Sequence, residues 1–409
     1  MDIEIDQAAR ERLTTYLDMI GDVLGTPQRR ANFGRYALGL IGDGTRKSME
    51  PIAVRNCIDV HRADAAHQRI QEFITDSAWN DYHVRVAAAR YALEPIARAA
   101  QVWAWVIDDT GFLKKGDHSV GVQRQYTGTA GKITNCQIGV SLTLATPQDH
   151  APVDMELYLP EVWTDVPARR AEAKIPEEVE FKTKPQLALA MLRRAVAAAL
   201  PRGTVLADEG YGNSVEFREG CKQLKLDFAV AVRSTTKVWV VDALGRRRGD
   251  ALEARQLAAR LADERAFRRY TWRQGTALPL TARFAFVRVV PIADDGCEPR
   301  KRDRVWLVCE WRDDEDHPAH FHLLTYRRRP FGHLVQLLKE RWHTERVYQD
   351  LKEEFGLDHF EGRRFRGWHH HVSCAIACFA FLAAERARRF SPSGTAVRQE
   401  TDDAIGIAA

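Results

Sequence analysis

The sequence has no apolar run of the roughly 18 residues that a membrane-spanning helix needs, so none is expected in these 409 residues. Its opening stretch, MDIEIDQAAR, lacks the basic and apolar regions of a secretory leader, and the expected location is the cytoplasm, in association with the nucleoid. None of the seven cysteines belongs to a Cys-x-x-Cys pair, which gives a disulfide framework or a dithiol redox motif no support. Cys374 and Cys378, four apart and close to His369, His370 and His371, are a conceivable zinc site. Small apolar core residues beside a polar helix start are the preferred reading. No internal repeat is visible. A large excess of one charge is missing too: the net charge is +4, which alone says little about partners. Basic residues do cluster, at Arg246-Arg247-Arg248, Arg300-Lys301-Arg302, Arg327-Arg328-Arg329, and Arg363-Arg364 with Arg366. Such clusters can hold phosphates or lie on solvated loops.

The length suits two or three domains, and a 45% hydrophobic share is enough for a sizeable core. Residues 1–98 read as helical, with Leu13, Tyr16, Leu17, Ile20 and Leu24 at helical spacing. Arg29, Arg30, Arg35, Arg46 and Lys47 make this stretch a candidate DNA-binding module, with a plain helical bundle the alternative. Residues 99–234 alternate between strands and helices: strands at Val102–Ile107, Gln137–Ala145, Val153–Leu159, Thr204–Ala207 and Phe228–Val232, with helices at about Lys184–Leu200 and Ser214–Leu224. A mixed α/β sheet is expected. Residues 235–326 are mainly β, with one helix near Ala251–Asp263. Residues 327–390 return to helix, first from Phe331 to about Phe355 and then from about His370 to Arg388. Residues 391–409 read as a flexible tail.

Two of the strands run into acid, WVIDDTGF at Asp108 and Asp109 and VLADEG at Asp208. Carboxylates at the ends of neighbouring strands repel and resist desolvation, and a divalent cation relieves both. Magnesium prefers a few carboxylates together with waters and phosphates. Taken alone, Asp-Thr-Gly equally suits an aspartate that caps a turn.

A third element changes that balance. On a helix through residues 337–355, Leu334, Leu337, Leu338, Trp342, Tyr348, Leu351 and Phe355 form one apolar arc. Lys339, His343, Arg346, Asp350 and Glu354 fall opposite. Arg341, Glu345 and Lys352 fall inside the arc, where charges need partners: Glu345 could join a metal cluster and the two cations could bind phosphate. A buried salt bridge is the alternative.

Arg341-x3-Glu345-x6-Lys352 resembles the signature helix of insertion-sequence DDE transposases, the Y-R-E-K group of the IS-four superfamily, with Leu338 where that signature has its tyrosine. IDDTGFLKKGDHSVGVQRQYTG, VLADEGYGNSVEF and LKEEFGLDHFEGRRFRGWHHH resemble the segments around the first and second acids and after the third. The resemblance covers about residues 30 to 385. It implies an RNase H-like core, in two parts (99–234 and 327–390), interrupted by the β insertion. It implies Asp109 as first acid, with Asp108 the runner-up, then Asp208 and Glu345, together holding two Mg²⁺ ions for which Mn²⁺ can substitute. Asp109 is expected to bridge both ions. Arg341 and Lys352 match the basic positions; by their place soon after the first acid, Lys114, Lys115 and Arg124 are further candidate phosphate contacts, with a solvated loop the equal alternative. The implied function is cleavage and strand transfer of double-stranded DNA, at element ends and target, by a homodimer. A DNA-binding relic and an RNase H-like nuclease are the alternatives.

Weaker expectations concern Gly210-Tyr211-Gly212 as a tight turn and His369–His371 as a cap of the last helix, with a DNA contact the alternative. Trp239, Trp272 and Trp306 are expected to be core packing rather than platforms for an unstacked base.

Overall fold

The computed structural model describes residues 7–57, 60–273, 279–292, 304–325 and 330–390. Cys297 and the basic clusters at 300–302 and 327–329 lie outside them. Five helices come first: α1 (Gln7–Val23), α2 (Pro27–Ile41), α3 (Met49–Arg55), α4 (Ala63–Thr75) and α5 (Asp81–Ala99). Local chemistry starts two of them. The Thr26 hydroxyl accepts from Arg29 N ahead of a proline-led first turn, and the Asn80 side chain accepts from His83 N.

The next segment holds β1 (Ala104–Leu113), β2 (Gln123–Thr127), β3 (Lys132–Ala145), β4 (His150–Tyr158), α6 (Glu161–Asp165), α7 (Pro167–Ala173), α8 (Lys184–Ala197), β5 (Thr204–Ala207), α9 (Glu209–Gly212), α10 (Val215–Gln223) and β6 (Phe228–Val232). Then follow β7 (Lys237–Val240), β8 (Leu252–Glu253), α11 (Ala254–Asp263), β9 (Arg268–Arg273), β10 (Leu280–Pro291), β11 (Val305–Trp311) and β12 (His320–Leu324). The chain closes with α12 (Phe331–Lys339), α13 (Trp342–Glu353) and α14 (Phe365–Phe390).

Among the described residues, all strands join one mixed sheet in the order β2-β3-β1-β5-β6-β12-β11-β10-β7-β8, with β4 on β3 and β9 on β10. β1 runs antiparallel to β3 and parallel to β5, and β5 runs parallel to β6. The expected mixed α/β sheet flanked by helices is what forms, consistent with an RNase H-like fold. The β-rich stretch after β6 prolongs this sheet, because β12 pairs antiparallel with β6.

Strand alternation decides which helices cover which face. Trp105 and Ile107 pack with Leu189, Leu192 and Phe217 of α8 and α10. Ala104 and Val106 pack with Leu334 and Leu337 of α12. A further core joins the N-terminal helices to α13 and α14, through Tyr16, Phe33, Tyr36 and Phe73 with Leu351, Val372 and Ile376. α14 is enclosed on all sides from Val372 to Ala380, each at most 3% exposed, and its Ala, Ser and Cys residues let neighbours approach closely. Cys374 and Cys378 sit in this core.

The structure corrects several expectations. The strand at Val102–Ile107 does not stop at its acids: β1 continues to Leu113 because β3 pairs with it along that whole length. The single helix expected from Phe331 to Phe355 is two, meeting at Glu340 and Arg341. That break turns Trp342 out of the apolar arc to 44% exposure. α14 begins before its histidines, so they cap nothing. His369 contacts Glu156 at 3.2 Å, His370 bonds the carbonyls of Ile74 and Trp79, and His371 meets Tyr36 Oη at 2.8 Å. They tie α14 to the N-terminal helices and to β4.

Basic residues of the N-terminal helices make contacts within the chain, and Arg30, Arg35 and Arg46 among them are exposed. Arg29 bonds Ser77, Arg30 pairs with Asp22, Arg35 bonds Asn32, and Arg46 pairs with Glu361. Lys47 is buried against the carbonyls of Leu40 and Glu354.

Candidate active site

β5 accompanies β1 only from Ala104 to Val106. Beyond Val106, β1 keeps β3 on one side, with Asp108 opposite Ser141 and Asp109 opposite Val140. Its other edge opens where β5 gives way to α9. Asp208 stands at that point and caps α9, its Oδ1 accepting from Gly210 N at 2.9 Å. The expected tight turn at Gly210–Gly212 is therefore a helical turn. Gly212 is required by a close approach: a Cβ there would lie 1.9 Å from the Ala231 carbonyl oxygen of β6.

A cavity of about 1030 Å³ lies against this open edge. Asp108, Asp109, Asp208 and Glu345 line it, as do Arg341 and Lys352. Residues far apart in the chain thus face one space, brought there by β1, the end of β5 and α13. Lys114, Lys115 and Arg124 are not among its lining residues, and Lys114 is tied to the Phe360 carbonyl at 2.7 Å.

Adjacent strand residues point to opposite faces, and the two acids of β1 have different partners. Asp108 Oδ2 lies 3.5 Å from Arg341 Nη1, which is 4.0 Å from Asp208 Oδ2. Asp109 Oδ2 accepts from Lys184 Nζ at 3.0 Å and from Tyr211 Oη at 3.2 Å. Burial pushes the Asp108 carboxyl up to about 7 against the pull of Arg341, and the neighbouring Asp208 adds to the rise. Lys352 donates to the Gly111 carbonyl at 3.0 Å, and burial lowers its ammonium below the usual lysine range. Tyr348 bonds Ser141 at 2.7 Å, and burial raises its phenol well above the ordinary value. Glu345 is solvent-exposed, not enclosed with the apolar arc.

The acids offer hard oxygen donors only, the set that suits magnesium, and Asp108 and Asp208 already draw a cationic group between them. On donor chemistry the residues fit a divalent cation. Among the described residues, however, no three or more His, Cys, Asp or Glu side chains form a group that could hold a metal.

Among the lining residues, Lys184, Tyr211 and Tyr348 make polar contacts that the sequence reading did not assign to the site. For Lys184 a signal exists. It sits in the first turn of α8, directly after the capping-box residue Thr183, where the helix dipole disfavours a cation; an acid partner resolves the conflict. Tyr348 stands in the apolar arc with a hydroxyl that needs a partner. No sequence signal distinguishes Tyr211.

Residues 20–279 match the family model described as DDE superfamily endonuclease, and residues 182–380 match the one described as Transposase DDE domain. A probable transposase for insertion sequence element IS701 from Microchaete diplosiphon is 26% identical over 205 residues, covering 50% of this chain and 49% of the relative. The chain thus spans about half the length of that curated relative. The open edge of β1, the acids facing one cavity and these matches lead to one assignment: the chain belongs to the DDE superfamily endonucleases, and its likeness among them is to insertion-sequence DDE transposases.

Proposed function

We propose that this protein is a transposase that cuts double-stranded DNA at the ends of an insertion sequence and joins them to target DNA. The observation that carries the reading is the lining of a single cavity by Asp108, Asp109, Asp208, Glu345, Arg341 and Lys352. Asp109, Asp208 and Glu345 would hold two divalent cations, Mg²⁺ or Mn²⁺. Bound there, the ions would activate a water or a 3′-hydroxyl and stabilise the leaving 3′-oxygen.

The chain's own residues supply the rest. Arg341, partly exposed at the α12–α13 junction, is placed to contact a phosphate beside the acids, and its planar fork suits that geometry. Lys184 and Tyr211 fix the rotamer of Asp109. Lys352, anchored on the Gly111 carbonyl, supplies positive charge to the same cavity. The phosphodiester is attacked directly, so no covalent link between protein and DNA is required. Two copies acting on paired ends complete the proposal.

The test is end cleavage of labelled duplex carrying the DNA that flanks the gene. Asp109→Asn, Asp208→Asn and Glu345→Gln should each abolish Mg²⁺-dependent cutting while leaving mobility-shift binding largely intact. A variant that still cuts removes its residue from the set.

A further inference from the structure

α13 carries Glu345 in its first turn and follows α12 after the break at Glu340 and Arg341. Its seat on β1 and β3 is therefore set by its own contacts rather than by the helix before it. Val347 and Leu351 are fully buried and pack it against the core. Apolar packing has no preferred direction, and it fixes the rotation of a helix less sharply than a hydrogen bond does.

Two polar ties supply the direction. Tyr348 Oη meets Ser141 Oγ of β3 at 2.7 Å, and Lys352 Nζ donates to the Gly111 carbonyl of β1 at 3.0 Å. Ser141 is the residue directly opposite Asp108 in the β1–β3 register. Tyr348 stands three residues after Glu345, its neighbour on the helix surface and about 4.5 Å along the axis. One bond thus joins the helix that presents Glu345 to the strand pair that presents Asp108 and Asp109, a single turn from the acid itself.

Both hydroxyls are enclosed. Ser141 is fully buried and Tyr348 is 8% exposed, so parting them leaves a buried polar group without its partner. Burial, and after it the charge of Asp108, holds the phenol well above its ordinary value. Tyr348 therefore stays neutral and acts as a hydrogen-bonding group, not as a base.

We infer that the bond between Tyr348 and Ser141 is a positioning contact for the proposed reaction: it fixes the rotation of α13, and through it where the Glu345 carboxylate stands relative to Asp109 and Asp208. The role rests on the proposed DNA chemistry and adds to it two residues that act through Glu345 without touching DNA.

The experiment measures single-turnover cleavage of labelled element-end duplex across a Mg²⁺ series. It compares the parent with Tyr348→Phe, Ser141→Ala and the variant carrying both. Ile376→Ala, in the core around α14, controls for lost stability alone. Thermal melting, duplex affinity across a salt series, and calorimetry of Mn²⁺ binding to the protein complete the set. Each single variant should cleave about tenfold more slowly and need about fivefold more Mg²⁺ for half-saturation. The double variant should be no slower than either single one, because one and the same bond is lost. Mn²⁺ should bind more weakly to all three, while duplex affinity and its salt slope stay at the parent's values. Ile376→Ala should melt at a lower temperature yet keep the parent's rate and Mg²⁺ dependence. Parental rates in both single variants, additive losses in the double one, or the same losses in Ile376→Ala would overturn the inference and leave the transposase reading standing. So would a reduced salt slope in Tyr348→Phe, which would mark the tyrosine as a DNA contact. If the parent cuts nothing at any Mg²⁺ concentration, both fall.

Discussion

Asp108 and Asp109 are neighbours in β1 yet answer to different cations: Asp108 to Arg341 at 3.5 Å and Asp109 to Lys184 at 3.0 Å. The alternation of a strand separates them, and the cavity at the strand's free edge admits both. Their substitutions should therefore behave differently. Asp109→Asn is expected to remove Mg²⁺-dependent cleavage altogether. Asp108→Asn should leave measurable cleavage but raise the half-saturating Mg²⁺ concentration about tenfold, which corresponds to about 1.4 kcal/mol. A metal titration of the cleavage rate checks this. Identical titration curves for the two variants would show that the strand's two faces do not divide the work.

Tyr211 and Lys184 orient Asp109 and need not touch DNA to matter. Tyr211→Phe removes one hydrogen bond of 3.2 Å, for which about 1 kcal/mol is typical. Single-turnover cleavage should slow by about fivefold with duplex affinity unchanged. Lys184→Met should slow it further, and Lys184→Arg should recover part of the loss. Weakened DNA binding with unchanged single-turnover rates would instead mark Lys184 as a phosphate contact.

The buried cation Arg85 joins the N-terminal helices to the sheet. It is 1% exposed and pairs with Asp81 at 2.6 Å, Asp154 at 2.9 Å and Glu156 at 3.4 Å. Removing one partner of a buried ion network leaves the others uncompensated and costs about 3–5 kcal/mol. Arg85→Ala should lower the urea midpoint accordingly. A variant within about 0.5 kcal/mol of the parent would show that the surrounding acids find other partners, Arg194 foremost.

His369 makes stability depend on pH. Burial opposes its charge, but the Glu156 carboxylate, 3.2 Å away, raises the imidazole above its ordinary value. A raised folded value contributes stability that is fully present below the unfolded pKa of about 6.5 and is lost as pH rises through the folded value. The parent should therefore lose thermal stability on the alkaline side of about 6.5, and His369→Gln should flatten that limb. Melting curves at closely spaced pH values check the sign; a parent that gains stability over this interval would contradict it.

The sequence reading succeeds where local chemistry and burial agree. β5 and β6 fall at their expected residues, since short apolar runs between loops leave little room for error. It fails where pairing partners decide the extent of an element. β1 runs through its acids because β3 continues beside it, and no property of WVIDDTGF announces that neighbour. The helix carrying Glu345 divides at Glu340–Arg341 although periodicity alone runs straight through. That division exposes Trp342, and Arg273 comes to lie 4.9 Å from its ring. The candidate acids were legible as motifs. Arg341 was legible too, but which acid each cation meets was not, because Arg341 reaches Asp108 and Lys184 reaches Asp109 only through the tertiary fold.

The most direct measurement of the central claim is cleavage of labelled duplex carrying the DNA that flanks the gene, by the parent and by Asp208→Asn, with Mg²⁺ and with EDTA. The account predicts a discrete cut at the element end by the parent with Mg²⁺, and none with EDTA or in the variant. Equal cutting by Asp208→Asn, or cutting undiminished by EDTA, would contradict it.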